Sequence, residues 1–165
     1  MTEIHTGGCQ CGAVRFRVEG KLGEASICHC RMCQKAFGGF YAPLVSVPDG
    51  SSLTWTRGAP KHFRSSNHAS RGFCPDCGTP LTYEAPDGIA LAIGSFDDAQ
   101  SIAPVIQFGV EAKLPYTDTM ADIPERVTED DLEAAPFLAS VVSFQHPDHE
   151  TDTWPPAQPG ETHDK

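Results

Sequence analysis

The chain has 165 residues, the size of one ordinary domain, and is long enough to bury a core without needing disulfides. Lysine and arginine total 12 against 22 acidic residues, and the net charge of −10 disfavours nucleic acid and anionic membranes as partners. The sequence shows neither an apolar run of about 20 residues nor a signal peptide at its N-terminus, so we expect a cytoplasmic protein with reduced thiols.

Short strands are predicted along most of the chain. The first, Ala13–Val18, places Val14, Phe16 and Val18 on one face, as in a half-buried strand. Later strands are predicted at Phe40–Val47, Leu53–Thr56, Lys61–Arg64, Leu81–Glu84, Ile89–Ile93 and Val105–Glu111, separated by turn-forming residues. This spacing predicts a mainly β fold.

Two helices are predicted, and both are short. Arg31–Phe37 has room for about two turns. Thr128–Asp131 has the pattern of a capping box that opens a second helix, which Pro136 would interrupt.

The composition changes near residue 145. The stretch 145–165 contains four prolines and three histidines, His146, His149 and His163, and Trp154 is its only large apolar residue. Such a segment cannot bury enough apolar surface to offset its ordering entropy. We therefore predict a folded domain over residues 1–144 and a disordered polar tail over 145–165.

All seven cysteines fall into three groups: Cys9-x-Cys11, Cys28-x-Cys30-x-x-Cys33 and Cys74-x-x-Cys77. Thiolates one or two residues apart can reach the same ion, and reduced, clustered cysteines favour metal over disulfides. Seven ligands divide naturally into four and three. Four close a tetrahedron, whereas three leave a position open to water, thiol or substrate, as in a reactive zinc site.

The two outer pairs are predicted to form one structural zinc site. Cys9 and Cys11 precede the first predicted strand, and Cys74 and Cys77 precede the strand at Leu81, each in a turn that ends in glycine. Two alternatives remain open for either pair alone, namely plain core cysteine and thiol–disulfide chemistry on Cys74-x-x-Cys77. The βαβ context of a thioredoxin-like motif is absent around that pair.

The central group, Cys28, Cys30 and Cys33, is predicted to hold the second, catalytic zinc. No fourth ligand lies nearby except His29, which strand alternation turns away from the sulfurs. The neighbouring cations Arg31 and Lys35 would stabilise thiolates and attract a carboxylate-bearing substrate. A second structural zinc, closed by a distant side chain, is the alternative.

Three stretches carry a resemblance to a known family. They are Gly7-Gly8-Cys9-Gln10-Cys11-Gly12-Ala13-Val14, Cys28-His29-Cys30-Arg31-Met32-Cys33-Gln34-Lys35 with Gly38-Gly39, and Arg71-Gly72-Phe73-Cys74-Pro75-Asp76-Cys77-Gly78-Thr79-Pro80-Leu81. In this order and spacing they resemble the glutathione-dependent formaldehyde-activating enzymes, a family that includes a vertebrate centromere protein. The resemblance covers about residues 5–127.

The resemblance implies a β-rich zinc fold of the β-tent type. It also implies a structural zinc on the outer pairs, a catalytic zinc on the central triplet, and the activity of S-(hydroxymethyl)glutathione synthase, a carbon–sulfur lyase. The chain departs from many relatives in two places. They have a histidine after a proline in the segment that here reads Pro104-Val105-Ile106-Gln107, and Gln107 cannot act as a base. They have a tryptophan where this chain has Leu114-Pro115-Tyr116.

Residues and resemblance together predict a zinc-dependent carbon–sulfur lyase that forms or cleaves a thiol–aldehyde adduct of glutathione or a similar thiol. Residues 1–144 would be its zinc-binding catalytic domain. Arg71, Lys35 and Arg31 are the predicted substrate-binding residues, because an acidic protein needs local cations to hold glutathione. An exposed loop position is the alternative for Arg71. The alternative function is a non-catalytic, zinc-stabilised binding or scaffold module. A homodimer is compatible with the sequence.

Overall fold

The structure, a computed structural model, describes residues 2–155. Within that range it contains ten strands: β1 Ile4–Gly8, β2 Arg15–Glu19, β3 Ala25–Cys28, β4 Ala42–Val47, β5 Ser52–Arg57, β6 Lys61–Arg64, β7 Ser70–Phe73, β8 Pro80–Ala85, β9 Gly88–Ala92 and β10 Ile106–Phe108. The α-helix is α1, Arg31–Phe37. Short 3-10 turns follow at Ile93–Ser95, Ala99–Ser101, Val110–Ala112, Pro115–Asp122, Thr128–Asp131 and Pro136–Ser140. The predicted mainly β class is confirmed.

The strands form two sheets. The smaller sheet is antiparallel with the order β1-β2-β5, and the larger has seven strands in the order β10-β3-β4-β9-β8-β7-β6. Neighbours in the larger sheet are antiparallel except β10, which runs parallel to β3 and pairs Gln107 with Ile27 and Phe108 with Cys28. The chain therefore returns late in its course to the strand that ends at the central cysteines.

The larger of two hydrophobic clusters in the described residues is shared by both sheets. Phe16 of β2 is fully buried, and its ring meets Trp55 of β5 and Phe96 edge-on at centroid distances of 6.0 and 5.0 Å. Leu81 of β8 and Leu91 of β9 belong to the same cluster and are also fully buried. Alternating apolar residues of short strands thus supply most of the apolar burial that stabilises the fold.

The predicted elements match the structure in type but not always in extent. Helix α1 and strand β6 have the predicted bounds, whereas the strand predicted at Val105–Glu111 is cut to Ile106–Phe108 and followed by a 3-10 turn. The helix predicted from Thr128 is only the 3-10 turn Thr128–Asp131, preceded by Val127 at the N-cap, because the chain cannot continue helically towards Pro136. Strands β1, β3 and β7 were not predicted.

The described residues divide into two compact units. Residues 2–113 and 145–155 form the first, and Leu114–Phe144 form the second, which consists of short 3-10 turns. This division differs from the predicted boundary at residue 145. The last part of the predicted tail, residues 156–165 with His163, lies outside the described residues.

Among the described residues, no helix is both long and apolar enough to span a bilayer.

Candidate metal centres

The first half of the outer cysteine group is a tight turn after β1. The amide of Gly12 donates to the carbonyl of Cys9 at 3.0 Å, and Gly12 has a φ of +75°, a conformation that L side chains rarely adopt. The amide of Val14 donates to Cys9 Sγ at 3.2 Å. A backbone N–H directed at a sulfur stabilises the thiolate that a metal needs.

The second half is the turn that joins β7 to β8. It is one residue longer than the first turn but also ends in a glycine with positive φ: the amide of Gly78 donates to the carbonyl of Cys74 at 3.0 Å, and Gly78 has a φ of +77°. The amide of Gln10 donates to Thr79 Oγ1 at 3.1 Å, which joins the two turns. Cysteines that lie more than sixty positions apart in the sequence are therefore held side by side.

The four outer sulfurs form a compact set. Cys9 and Cys11 Sγ lie 3.5 Å apart, Cys11 and Cys74 Sγ lie 3.7 Å apart, and all four lie within 4.8 Å of one another. Sulfurs bound tetrahedrally at about 2.3 Å from zinc would be separated by roughly 3.8 Å. The donor set and its spacing therefore fit a closed four-thiolate site.

Without a bound cation, the outer thiols differ in acidity. Burial raises the pKa of Cys11 to about 12 and also raises the pKa of Cys74. Burial opposes ionisation of Cys77 as well, but hydrogen bonds from the side chain and backbone of Thr79 outweigh it and lower the pKa to about 6. Metal binding at this site must therefore release protons, as expected for thiolate ligands.

The central triplet is built at the junction of β3 and α1. Cys28 ends β3, Cys30 is the N-cap of α1, and Cys33 lies in the first turn of the helix. The amide of Cys33 donates to Cys30 Sγ at 3.4 Å, and the three sulfurs lie within 4.8 Å of one another. A strand end followed by a helix start thus brings three thiols together over six residues.

A glycine lets the backbone approach this triplet closely. Gly109 follows β10 with a φ of +63°, and a Cβ placed there would lie 2.8 Å from the backbone nitrogen of Cys30. The carbonyl of Phe108 accepts from the amide of His29 at 2.8 Å. The parallel pairing of β10 with β3 is what places this turn against the site.

Arg71 touches the triplet directly. It lies on β7 and is 7% exposed, and its Nη2 donates to Cys33 Sγ at 3.3 Å. Burial raises the pKa of Cys33 to about 12, and the charge and hydrogen bond of Arg71 oppose that rise. Its guanidinium also lies over the ring of Tyr83, at 5.2 Å from the centroid, and Nε donates to Ser65 Oγ at 3.2 Å. Arg71 is therefore a buried partner of the site, not an exposed loop residue.

A cavity of about 380 Å³ opens onto all three central cysteines. Arg71 and Tyr83 line it together with the apolar side chains of Met32, Leu44 and Phe108. Its remaining polar side chains include Ser66, His68 and Asp87. The central sulfurs are therefore accessible from a chamber large enough for a small organic ligand.

His29 lies beside the triplet but is not one of the grouped ligands among the described residues. It is 1% exposed, donates from Nε2 to Gln107 Oε1 at 2.9 Å, and packs edge-on against Tyr41. Its Nδ1 is buried without a partner. Gln107 thus fixes the ring through its amide oxygen, a role for which a neutral side chain is sufficient.

The other two predicted substrate-binding cations lie further out. Lys35 is exposed and lines a neighbouring hollow that it shares with Met32, Phe63 and Arg71. Arg31 is exposed and donates to Gln34 Oε1 at 3.0 Å. Of the three, Arg71 is the one that the structure brings into contact with a cysteine.

The segment 145–155 covers the Cys9–Gly12 turn, in contrast to the disordered tail predicted for it. The amide of His146 donates to the carbonyl of Gln10 at 2.8 Å, and His146 is 7% exposed. Its ring packs edge-on against Trp154, and a Cβ on Gly12 would collide with both rings. Arg57 contacts Thr151.

An ion-pair network centred on the buried Arg15 lies beneath this covering. Arg15, which is 2% exposed, donates from both terminal nitrogens to Asp97 at 2.8 and 2.6 Å, and also to Glu150 at 2.9 Å. Burial opposes ionisation of Asp97, but Arg15 and Thr6 more than compensate and lower its pKa. Burial, followed by the charge of Arg15, lowers the pKa of His146.

Sequence reasoning missed several of these contacts because they depend on strand pairing. Arg71 lies opposite Tyr83 in the pairing of β7 with β8, but β7 was not predicted. The composition of 145–155 gave no signal that His146 and Trp154 would pack on Gly12. A hairpin prediction around Cys74–Cys77 would have placed β7 beside β8, but the register shift between Gly72 and Phe73 decides that Arg71 lies opposite Tyr83.

The fold and its two thiol clusters define a mainly β, cysteine-rich protein with two potential metal centres. The family model described as glutathione-dependent formaldehyde-activating enzyme matches residues 4–112, and the chain belongs to that family. A protein of known structure from Rhodobacter sphaeroides, a structural genomics target, is similar at 21% identity with a TM-score of 0.47. That match covers 62% of this chain and 98% of the other.

Proposed function

We propose that the chain is a zinc-dependent carbon–sulfur lyase that forms or cleaves the adduct of an aldehyde with glutathione or a similar thiol. The observation that carries the proposal is the contrast between four sulfurs in a closed set and three sulfurs that line a cavity beside a buried arginine. Membership of the family supports it. The seven cysteines are free thiols in the described residues, which suits the reducing cytoplasm that we propose as its location.

Each residue group has a role in this proposal. Cys9, Cys11, Cys74 and Cys77 hold a structural zinc, and Cys28, Cys30 and Cys33 hold the catalytic one. When bound at an open position, zinc lowers the pKa of a thiol or polarises a carbonyl. The cavity supplies the rest: Met32, Leu44 and Phe108 give it an apolar lining, and Arg71 binds substrate beside Cys33.

The cations that could bind the substrate carboxylates lie at two distances from the central cysteines. Glutathione carries two carboxylates, and the protein has a net charge of −10, so local cations must offset repulsion. Lys35 and Arg31 lie exposed on α1, which leads away from the triplet, and would attract the carboxylates from solvent. Arg71 lies at the sulfurs themselves.

Exchange spectroscopy by NMR tests the proposal directly. The rate of interconversion between formaldehyde plus glutathione and their adduct is measured with zinc-loaded protein and with the Cys30→Ser variant. We expect acceleration with the parent protein and none with the variant. Equal rates in the presence and absence of the parent protein would contradict lyase activity on this pair and would favour a zinc-stabilised binding module.

A further inference from the structure

One hydrogen-bond donor beside the central cysteines has no acceptor. Arg71 uses Nη2 on Cys33 and Nε on Ser65, and its face covers the Tyr83 ring, but Nη1 is buried without a partner. A buried charged donor left unsatisfied is costly, and such groups in native proteins usually mark an expected ligand or a functional constraint. The unused donor therefore points to an acceptor that arrives with the substrate.

The position of that acceptor is limited by the guanidinium itself. Nη1 and Nη2 are attached to one carbon in a rigid plane, so a group bound by Nη1 lies within a few ångströms of Cys33 Sγ. Among the described residues lining the cavity, Arg71 is the only lysine or arginine. The acceptor must therefore lie close to the central cysteine sulfurs, where the proposed function places the reacting thiol.

Of the oxygens in the adduct, the one on the reacting carbon lies nearest to the sulfur. The hydroxyl oxygen is bonded to the same carbon as the sulfur, whereas both carboxylates of glutathione are separated from the sulfur by a peptide bond and further carbons. We infer that Arg71 Nη1 binds the oxygen on the reacting carbon of the thiol–aldehyde adduct, which makes Arg71 a catalytic residue. This inference rests on the proposed function and changes the role of Arg71 from a carboxylate receptor to an oxyanion donor.

The reaction step follows from this placement. In adduct formation the substrate thiolate sulfur attacks the carbonyl carbon, a carbon–sulfur bond forms, and the π electron pair moves to oxygen. Arg71 stabilises the resulting alkoxide by a charge-assisted hydrogen bond and transfers no proton, since its guanidinium stays charged. The proton released when the thiol ionised returns to the alkoxide through solvent. Cleavage is the reverse sequence, with the bonding pair leaving on sulfur.

A comparison of two thiols separates the two roles of Arg71. Exchange rates with formaldehyde are measured for the parent protein and Arg71→Gln, using glutathione and 2-mercaptoethanol, which has no carboxylate. Loss of an oxyanion donor should lower kcat by about 10²–10³-fold for both thiols. The dissociation constant of glutathione without aldehyde, measured by calorimetry, should not change.

Two further variants complete the design. Arg64→Gln removes the same charge from the neighbouring strand β6, where Arg64 is exposed and donates to the carbonyl of Asn67 at 2.7 Å, and should leave kcat unchanged. Arg71→Lys keeps the charge near Cys33 but loses the planar fork, and should retain two zinc ions per chain while kcat falls.

The outcomes are distinct. A loss confined to glutathione, with weaker glutathione binding, would overturn the inference in favour of carboxylate recognition. Loss of the central zinc from both Arg71 variants would also overturn it, because Arg71 would then serve only to hold Cys33. If the parent protein accelerates exchange with neither thiol, the proposed function fails and the inference falls with it. If the parent protein is active and Arg71→Gln has the same kcat, the inference alone is refuted.

Discussion

The two cysteine clusters use the same ligand atom but are placed very differently in the fold. The outer sulfurs come from turns on both sheets, after β1 in the smaller sheet and between β7 and β8 in the larger. The central sulfurs come from one short stretch at the end of β3 and the start of α1, and they line a cavity. The outer cluster therefore joins distant parts of the chain, whereas the central one adds little to the connectivity of the fold.

This difference indicates that the two clusters have different roles, one in stability and the other in chemistry. Closing a loop of more than sixty residues restricts the unfolded chain, so metal bound at the outer cluster adds to folding stability. Metal bound at the central cluster closes only six residues and leaves a face open to ligands. Changes at the outer cluster should therefore affect stability, and changes at the central cluster should affect chemistry.

The largest effect is expected at Cys74. This sulfur is fully buried and lies 3.7 Å from Cys11 Sγ, so Cys74→Ser removes a ligand that links the two sheets. Because structural zinc contributes on the order of 10 kcal/mol to folding, the variant should unfold or aggregate. Circular dichroism and zinc content check this. A cooperative melt at the parent temperature would refute the role of the outer site.

Cys30→Ser should leave the protein folded but abolish its activity. Serine is a good N-cap, so α1 should persist and the free energy of unfolding should change by about 1 kcal/mol or less. The variant should carry one zinc per chain and no longer accelerate adduct exchange. Mass spectrometry of the native protein and the NMR assay are the measurements. Equal loss of fold in Cys30→Ser and Cys74→Ser would remove the distinction between the clusters.

Asp97→Asn should destabilise the region beneath the outer turn without touching a sulfur. It leaves the Arg15 guanidinium buried with only Glu150 as an anionic partner, at a cost of about 3 kcal/mol. The pKa of Asp97 is lowered in the folded protein, so its contribution is present above the unfolded value of about 4 and is lost as pH falls through the folded value.

Chemical denaturation between pH 7 and pH 3 measures both effects. The parent protein should lose stability more steeply than Asp97→Asn on acidification below about pH 4. If the free energy of unfolding of the two proteins falls equally with pH, this ion pair does not contribute to the pH dependence of stability.

Gly109→Ala should disturb the central cluster selectively. Its Cβ would lie 2.8 Å from the backbone nitrogen of Cys30, in addition to the left-handed strain of about 1–2 kcal/mol. Gly38→Ala is the matched control, because Gly38 has a φ of +61° and nothing within 4 Å of an added Cβ. We expect both to lower the melting temperature, but only Gly109→Ala to weaken central zinc binding, which competition with a chelator would measure. Equal zinc affinities would show that the β10 turn does not shape the site.

The smallest effect on the zinc sites is expected at Trp154. Trp154→Ala uncovers the Gly12 turn and should cost about 1 kcal/mol while speeding chelator removal of the outer zinc. Phe144→Ala, at a side chain that is 81% exposed, is the control and should change neither quantity. Identical zinc release from both variants would mean that segment 145–155 does not protect the outer site.

Much of the candidate site could be predicted from short-range pattern alone. The grouping of cysteines into four and three follows from spacing, because thiols one or two residues apart can share an ion whatever the surrounding fold. Helix α1 was predicted with its observed bounds, since a turn-forming cysteine stretch precedes it and glycines end it. Alternation likewise indicated most of the strands.

The tertiary structure decided what surrounds those ligands. Strand register put Arg71 opposite Tyr83 and against Cys33, and parallel pairing of β10 brought Gln107 to His29. Segment 145–155 packed on the Gly12 turn although its composition favoured solvent. The physical reason is common to all three. Local spacing fixes which cysteines can share a metal ion, whereas contacts between distant segments depend on strand register and burial across the whole chain.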